Sequence, residues 1–149
     1  RWAFPPFRRG ERARVSEGEL AGVPVRVLKP TTFMNASGAA LASLRADPAF
    51  TPATDLLILV DEFRIACGTF RVRADGSAGG HNGLKSIEGT LQSQLYARLR
   101  IGVGPLPEGV GDWSEYVLAP FDPEQVAQIE AAMPQMVEAV ERWVVEGVT

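Results

Sequence analysis

The stretch LLILVDEFRIACGTFRVRADGSAGGHNGLKSI, from Leu56 to Ile87, decides the fold. Its first five residues are apolar and predict a strand covered on both faces, and the acidic pair Asp61-Glu62 comes directly after that strand. An alternating strand with two arginines follows, and a loop of small residues then leads into a helix from Asn82 to about Leu95. Open α/β sheets bind ligands outside the carboxyl ends of their strands, so the acidic pair marks a candidate site.

The rest of the chain supplies further strands and helices. Two alternating strands near the start are predicted to pair through a turn at 17–19, and the last helix has an Asp cap, a Pro at its first position and a Gln three residues after the cap. These additional elements are strands at 12–15, 23–28 and 99–103 and helices at 37–46 and 123–147. They predict one α/β domain over residues 1–149, a three-layer sandwich in which a twisted, mixed, partly parallel sheet is flanked by helices.

Composition indicates an ordinary globular protein. Of the 149 residues 46% are hydrophobic and 22% are charged, and no apolar run reaches the ~20 residues of a membrane span. The single cysteine, Cys67, suits a reducing compartment, and one histidine with one cysteine makes a dedicated zinc site a poor fit. We therefore expect a cytoplasmic protein with no metal.

Charge is distributed unevenly along the chain. From residue 108 onward there are nine acids and one base, whereas residues 1–107 carry fourteen bases and nine acids. Thirteen of the fifteen bases are arginine, the side chain suited to forked contacts with phosphate. A basic body is compatible with binding a polyanion on one face, although composition alone equally fits solvated surface charges.

Several side chains could carry chemistry, and each has a plainer interpretation. Asp61 could orient a histidine during general-base catalysis or could cap a turn. His81 and Asn82 follow a Gly-rich loop that lacks the spacing of a nucleotide-binding motif, so the glycines could form only a turn. Asn35 could hold a water or a substrate carbonyl, or could cap the next helix.

Two further sets of residues fit a nucleic-acid substrate. Phe33 and Met34 could form an apolar wall beside a base, or could be simple packing. Arginines alternate on two strands and, if those strands are neighbours, would make a cationic patch for a terminal phosphate, although singly each is an ordinary surface charge. The arginines of this patch are Arg71, Arg73, Arg98 and Arg100.

Four blocks together resemble the bacterial-type peptidyl-tRNA hydrolases in order and spacing. The blocks are KPTTFMNASGAAL (29–41), LLILVDE (56–62), GSAGGHNGLKSI (76–87) and RLRIGVGPLP (98–107). The resemblance implies an enzyme that hydrolyses the ester between a peptide and the 3′-terminal ribose of tRNA, without metal or cofactor. We expect a monomer that binds peptidyl-tRNA, with no membrane partner.

The resemblance also implies roles for individual residues. Asp61 matches the aspartate that orients the general-base histidine, and Asn35 and Asn82 match asparagines that hold the water and the substrate's peptide groups. His81 matches a histidine near the path of the 3′ end rather than the base. The remaining matches are Phe33 and Met34 with the wall beside the catalytic centre, and Arg73 and Arg100 with a basic pair that clamps the 5′ phosphate.

The chain also departs from the family pattern. The family opens with a strand, a turn and a helix that carries the general-base histidine, and no such segment precedes residue 1, so we expect a truncated and inactive chain whose last helix is also short. Arg64 stands in place of an acid, and Asp75 interrupts a run of glycines. These departures leave open a non-catalytic RNA-binding relative of the same fold. The glycines alone would also fit a phosphate-binding metabolic enzyme.

Overall fold

The computed structural model describes residues 2–106, 116 and 118–147. The chain divides into two compact units, the first made of residues 1–56 and 75–96 and the second of residues 57–74 and 97–149. The expected α/β class is confirmed, because each unit combines a sheet with helices. That residues 1–149 act as one domain stays a prediction.

The first unit contains an antiparallel sheet of three strands in the order β1-β2-β3. The strands are β1 (Arg8–Arg9), β2 (Ala13–Leu20) and β3 (Val23–Pro30). The turn predicted at 17–19 is wrong, since those residues lie inside β2. The chain reverses instead at Ala21-Gly22, whose φ angles of 53° and 79° give the paired left-handed conformation of a tight hairpin.

The first unit contains four described helices. They are a 3₁₀ helix (Met34–Leu41), α1 (Ala42–Arg45), α2 (Pro52–Asp55) and α3 (Asn82–Leu91). The predicted helix at 37–46 therefore starts three residues early, as a 3₁₀ turn without a side-chain cap. α3 ends before the predicted Leu95 because Gln92 takes a left-handed conformation, with φ of 55°.

A close backbone approach joins the 3₁₀ helix to α3. The Gly38 amide donates a hydrogen bond of 2.8 Å to the Ser86 hydroxyl. A Cβ at Gly38 would overlap the Ser86 carbonyl oxygen and the Thr90 hydroxyl. Only glycine allows this contact, so the relative position of the two helices depends on residue 38.

The second unit contains the mixed, partly parallel sheet that the sequence predicts. Its order is β4-β6-β5, with β4 parallel and β5 antiparallel to the central strand. The strands are β4 (Leu57–Ala66), β5 (Phe70–Arg73) and β6 (Ala97–Gly104). The long helix α4 (Pro123–Glu146) forms the predicted capping box with Asp122 and Gln125 and covers one face of the sheet.

Burial in the second unit differs from the predicted pattern on β4. Leu59 is 57% exposed, so β4 is not covered on both faces as expected. On α4, Met136 is buried beside Leu99 and Ala132, whereas Met133 is 46% exposed. Pro134 lies inside this one continuous helix. None of the described helices is both long and apolar enough to span a bilayer.

The ends of β4 and β6 pair irregularly. Glu62 pairs with Gly102 and Ala66 with Gly104, so β4 carries two more residues than β6 over the same stretch. A Cβ at Gly104 would overlap the Phe63 carbonyl oxygen, and one at Gly102 would overlap that of Ala66. Because the bulged segment lies against the backbone of β6, both positions require glycine.

The contact at Gly38 yields a test with a matched control. We expect Gly38→Ala to lower the free energy of unfolding by about 1–3 kcal/mol, because the Ser86 backbone cannot move away cheaply. Gly89→Ala in α3 meets no atom within 4 Å and should raise it by about 0.5–1 kcal/mol. Urea unfolding followed by circular dichroism measures both changes. Equal effects at the two positions would contradict the assigned contact.

Candidate functional site

The candidate residues form two groups, one in each unit. In the first unit, Phe33, Met34 and Asn35 occupy the start of the 3₁₀ helix. Phe33 is 89% exposed and Met34 is 54% exposed, which is unusual for large apolar side chains. Asn35 is also exposed and does not cap the helix, so the plainer interpretation of that asparagine is wrong. These side chains are available to a ligand.

The same unit brings the start of α3 to this group. A Cβ at Gly83 would lie 2.7 Å from the Met34 sulfur, so Met34 packs directly on the first turn of α3. Ser37 supports this arrangement by donating a hydrogen bond of 2.7 Å to the Met34 carbonyl oxygen. The structure therefore places the Phe33–Asn35 segment next to the His81-Asn82 pair, which the sequence separates by almost fifty residues.

His81 caps α3. Its Nδ1 accepts hydrogen bonds from the amides of Gly83, at 3.0 Å, and Leu84, at 3.3 Å. An Nδ1 that accepts carries no proton, so in the neutral ring Nε2 carries it and acts as a donor. The Nδ1 lone pair is thus engaged in the helix cap. That His81 is not the general base stays a prediction.

The Gly-rich loop tolerates its unusual residue, Asp75. The left-handed conformations of the loop fall on Gly76, Gly79 and Gly80, with φ of 137°, 58° and 85°. Asp75 is exposed and does not adopt a positive φ. The substitution thus adds a charge to the loop without requiring a backbone conformation that only glycine adopts easily.

Asp61 lies in the second unit, within β4 rather than after it. The strand was predicted to end at residue 60 but continues to Ala66, and Asp61 pairs in register with Ile101 of β6. Residues beyond 60 keep strand geometry because the backbone of β6 still offers pairing partners. Asp61 is half-buried and shares a face with Leu57 and Leu59, by the alternation of the strand.

Glu62, which points to the other face, has two arginine partners. Its carboxylate lies 3.9 Å from an Arg100 nitrogen and 3.7 Å from an Arg64 nitrogen, and its side chain is 11% exposed. A buried carboxylate needs such partners. Arg64, the departure from the family pattern, therefore adds a second cation to Glu62. The sequence marked the acidic pair but not this ion-pair role.

The two arginine rows lie on neighbouring strands, as the cationic patch requires. Arg71 is opposite Arg100, and Arg73 is opposite Arg98, on the face that carries Glu62. Arg71 and Arg73 are exposed and Arg100 is half-buried, but Arg98 is completely buried and cannot contribute to an exposed patch. Arg73 and Arg100 are diagonal neighbours, so their Cα atoms are about 7–8 Å apart.

Cys67 does not fit a nucleophile. Burial raises the pKa of its thiol, and the negative charge of Asp122 raises it further. A raised pKa keeps the thiol protonated at neutral pH, whereas the reactive form is the thiolate. Within residues 2–106 and 118–147 the structure shows no cluster of three or more metal-ligating side chains.

Comparison with known proteins identifies the family. The family model for peptidyl-tRNA hydrolase matches residues 2–149. This chain belongs to the peptidyl-tRNA hydrolase family. It is 41% identical to a peptidyl-tRNA hydrolase from Gemmatimonas aurantiaca, covering 99% of this chain and 78% of that protein. It is also 41% identical to one from Chloroflexus aggregans, covering 95% of this chain and 76% of that protein.

Solved structures agree with the family. The crystal structure of peptidyl-tRNA hydrolase from Acinetobacter baumannii superposes with a TM-score of 0.84 at 28% identity, covering 93% of this chain and 70% of that chain. The family resemblance seen in the sequence is thereby confirmed. The roles of individual residues stay predictions, because a match of fold and family does not test any one side chain.

Sequence reasoning missed the residues that hold the first group together. Gly38 and Ser86 bring the 3₁₀ helix onto α3, and Gly83 admits the Met34 sulfur. The glycines themselves were the available signal, because a glycine inside a predicted helix often marks a close approach. Which partner approaches each glycine is a tertiary property.

The cap role of His81 can be separated from any chemical role. We expect His81→Ala to lower the free energy of unfolding by about 1 kcal/mol, because two α3 amides lose their acceptor. His81→Asn should restore most of that loss, since asparagine caps helices well. Urea unfolding measures both variants. An equal loss in the two would show that the cap bonds do not stabilise the protein.

Proposed function

We propose that this protein hydrolyses peptidyl-tRNA, releasing the peptide and free tRNA. Membership of the family and the retention of Asn35, Asp61, His81 and Asn82 support the proposal. The observation that carries it is the packing of Met34 on the first turn of α3. This contact puts two exposed carboxamides, those of Asn35 and Asn82, on adjoining helix starts beside the exposed Phe33 ring.

The proposed reaction is attack of water on the ester carbonyl. A bond forms between the water oxygen and the carbonyl carbon, the bond to the ribose oxygen breaks, and the proton passes from the water through a general base to the ribose oxygen. A carboxamide can donate to the developing oxyanion or peptide oxygen and accept from the water. Asn35 and Asn82 are assigned these roles.

Asp61 is assigned the role of orienting the general-base histidine. A carboxylate that accepts from an imidazole N–H holds the ring in the productive tautomer and stabilises its charged form. The only histidine in residues 1–149 is His81, and its Nδ1 serves as the helix cap. We therefore propose that the general base comes from outside these residues. Residues 1–149 alone should then turn over peptidyl-tRNA slowly.

The assigned 5′-phosphate site lies on the other face of the second unit's sheet from Asp61. Arg73 and Arg100 share the face of Glu62, whereas Asp61 alternates to the opposite one. The 5′ phosphate and the 3′ ester of one tRNA acceptor arm are different groups, so they do not need a common face. We also propose that the protein is a monomer and that it acts in the cytoplasm, where peptidyl-tRNA is made.

Asp61 should affect turnover more than binding. In a chain extended by the family's N-terminal strand, turn and helix, we expect Asp61→Asn to lower kcat by roughly two to four orders of magnitude, because the base loses its orienting carboxylate. KM for peptidyl-tRNA should change little. Single-turnover peptide release and tRNA binding measure the two effects. The unextended wild-type chain should release peptide far more slowly than the extended one.

Three outcomes would count against this assignment. Full activity of residues 1–149 would remove the need for an outside base. Loss of binding with normal turnover of bound substrate would reassign Asp61. Tight tRNA binding without peptide release by the extended chain would instead favour a non-catalytic RNA-binding relative.

The phosphate site predicts a change in salt dependence. We expect Arg73→Ala to weaken tRNA binding and to lower the slope of log K against log[salt] by about one, because one phosphate contact is lost. Arg142→Ala is the control, since its exposed side chain pairs with Glu146 on α4. Filter binding over a range of salt concentrations measures the slope. An unchanged slope for Arg73→Ala would exclude it from the phosphate site.

A further inference from the structure

Three cations form a row across the sheet of the first unit. Arg9 of β1 lies directly opposite Arg14 of β2, and Arg14 lies directly opposite Lys29 of β3. Residues directly opposite in antiparallel strands point to the same face, so the three side chains leave one face together. With strands about 4.8 Å apart, the row is about 10 Å wide. We name these three residues the cationic row.

The charges of the cationic row are not neutralised by the chain that the structure describes. All three residues are exposed, and the described ion pairs include none of them. The Lys29 ammonium lies 4.1 Å from the centre of the Phe7 ring, a contact that orients it but leaves its charge in place. Like charges directly opposite one another destabilise a sheet, so the row costs folding stability.

The other face of the same sheet is arranged differently. Glu17 lies there with Arg8, at 2.5 Å, and Arg26, at 3.6 Å, and Glu19 alternates to the same side. The strands thus carry their acids on one face and an uncompensated row of cations on the other. A solvated sheet surface has no need of this separation, since intermixed charges would be more stable.

The net charge of each unit follows the same division. Residues 1–56 and 75–96 contain nine bases and seven acids, whereas residues 57–74 and 97–149 contain six bases and eleven acids. The acid surplus of the chain therefore lies entirely in the second unit. A polyanion would be attracted to the first unit, which carries the cationic row.

We propose that the cationic row binds the phosphodiester backbone of RNA. The inference rests on the proposed function, because it takes the tRNA part of the substrate as the occupant. Two guanidinium groups and an ammonium in one row, without a carboxylate among them, match the charge and the forked geometry of successive phosphates. Asn35 follows Lys29 by six residues, so the backbone at the Lys29 end of the row lies within about 20 Å of the backbone of Asn35.

The row differs from the proposed 5′-phosphate site. Arg73 and Arg100 belong to the second unit and to the other sheet, whereas all three residues of the row belong to the first. Contacts with the backbone carry no sequence information, so the row would serve tRNAs of any sequence.

Salt-dependent binding of the chain to deacylated tRNA tests the proposal. The triple variant Arg9→Gln, Arg14→Gln, Lys29→Gln should lower the salt slope by two to three, at about 0.9 per lost phosphate contact, and weaken binding at least tenfold at low salt. Arg26→Gln, an exposed arginine on the opposite face, is the matched control and should change neither. Because like-charge repulsion is removed, the melting temperature of the triple variant should not fall.

Each result has a defined meaning. A salt slope equal to that of wild type overturns the inference, as does equal weakening by Arg26→Gln. Displacement of the bound tRNA by polyglutamate as readily as by RNA would also overturn it, because the row would then bind any acidic chain. If the triple variant does not fold, Arg14→Gln and Arg14→Lys decide: the slope should fall by about one in the first and stay unchanged in the second. If an extended chain binds tRNA normally but releases no peptide, the proposed function is contradicted. The salt slopes would then still decide whether the cationic row binds RNA.

Discussion

The register of β6 against its two neighbours is the constraint on which the chemistry of the second unit depends. One strand pairs in parallel with β4 and antiparallel with β5, and it is buried along most of its length. Side chains alternate with a period of two, so a slip of one residue would exchange the faces of every residue. The observed register puts Arg71 and Arg73 beside the arginines of β6, and puts Asp61 on the face opposite to Glu62. Gly102 and Gly104 hold that register at the bulged end, because no larger residue fits under the β4 backbone.

In the first unit, a contact between helices positions the candidate residues. Here a backbone contact between two helices, at Gly38 and Ser86, replaces strand pairing. The contact seats Met34 on α3, while His81 caps that helix through Nδ1. One imidazole nitrogen is therefore committed to structure, which limits the remaining chemistry of the ring to donation from Nε2. His81, which the family resemblance distinguishes from the general base, is the N-cap of α3 in the structure.

Charge is arranged by face as well as by sequence. Arg98 and Glu62 are buried in the second unit, and Glu62 is held between Arg64 and Arg100. Burying the Glu62 carboxylate without partners would cost several kcal/mol. Arg64 and Arg100 therefore stabilise the folded sheet, whether or not a ligand is bound. Arg71 and Arg73 in the second unit, and the row across β1, β2 and β3 in the first, are exposed to solvent. A count of arginines in the sequence does not distinguish those that pair with a buried carboxylate from those that are exposed and available to a ligand.

The sequence by itself determined the family, the α/β class and the strongest local signals. The capping box at Asp122 and Gln125 and the alternating strand ending at Arg73 were predicted correctly, because both depend on residues close together in the chain. The β2–β3 turn, the length of β4 and the end of α3 were not, since each depends on a pairing partner or on the conformation of a single residue such as Gln92. Only the tertiary structure decided that Met34 meets α3, that Glu62 holds Arg100 and that Arg9, Arg14 and Lys29 stand in one row. The physical reason is the same in each case: these contacts join residues far apart in the chain, and their register is set by backbone pairing and close packing that no local pattern encodes.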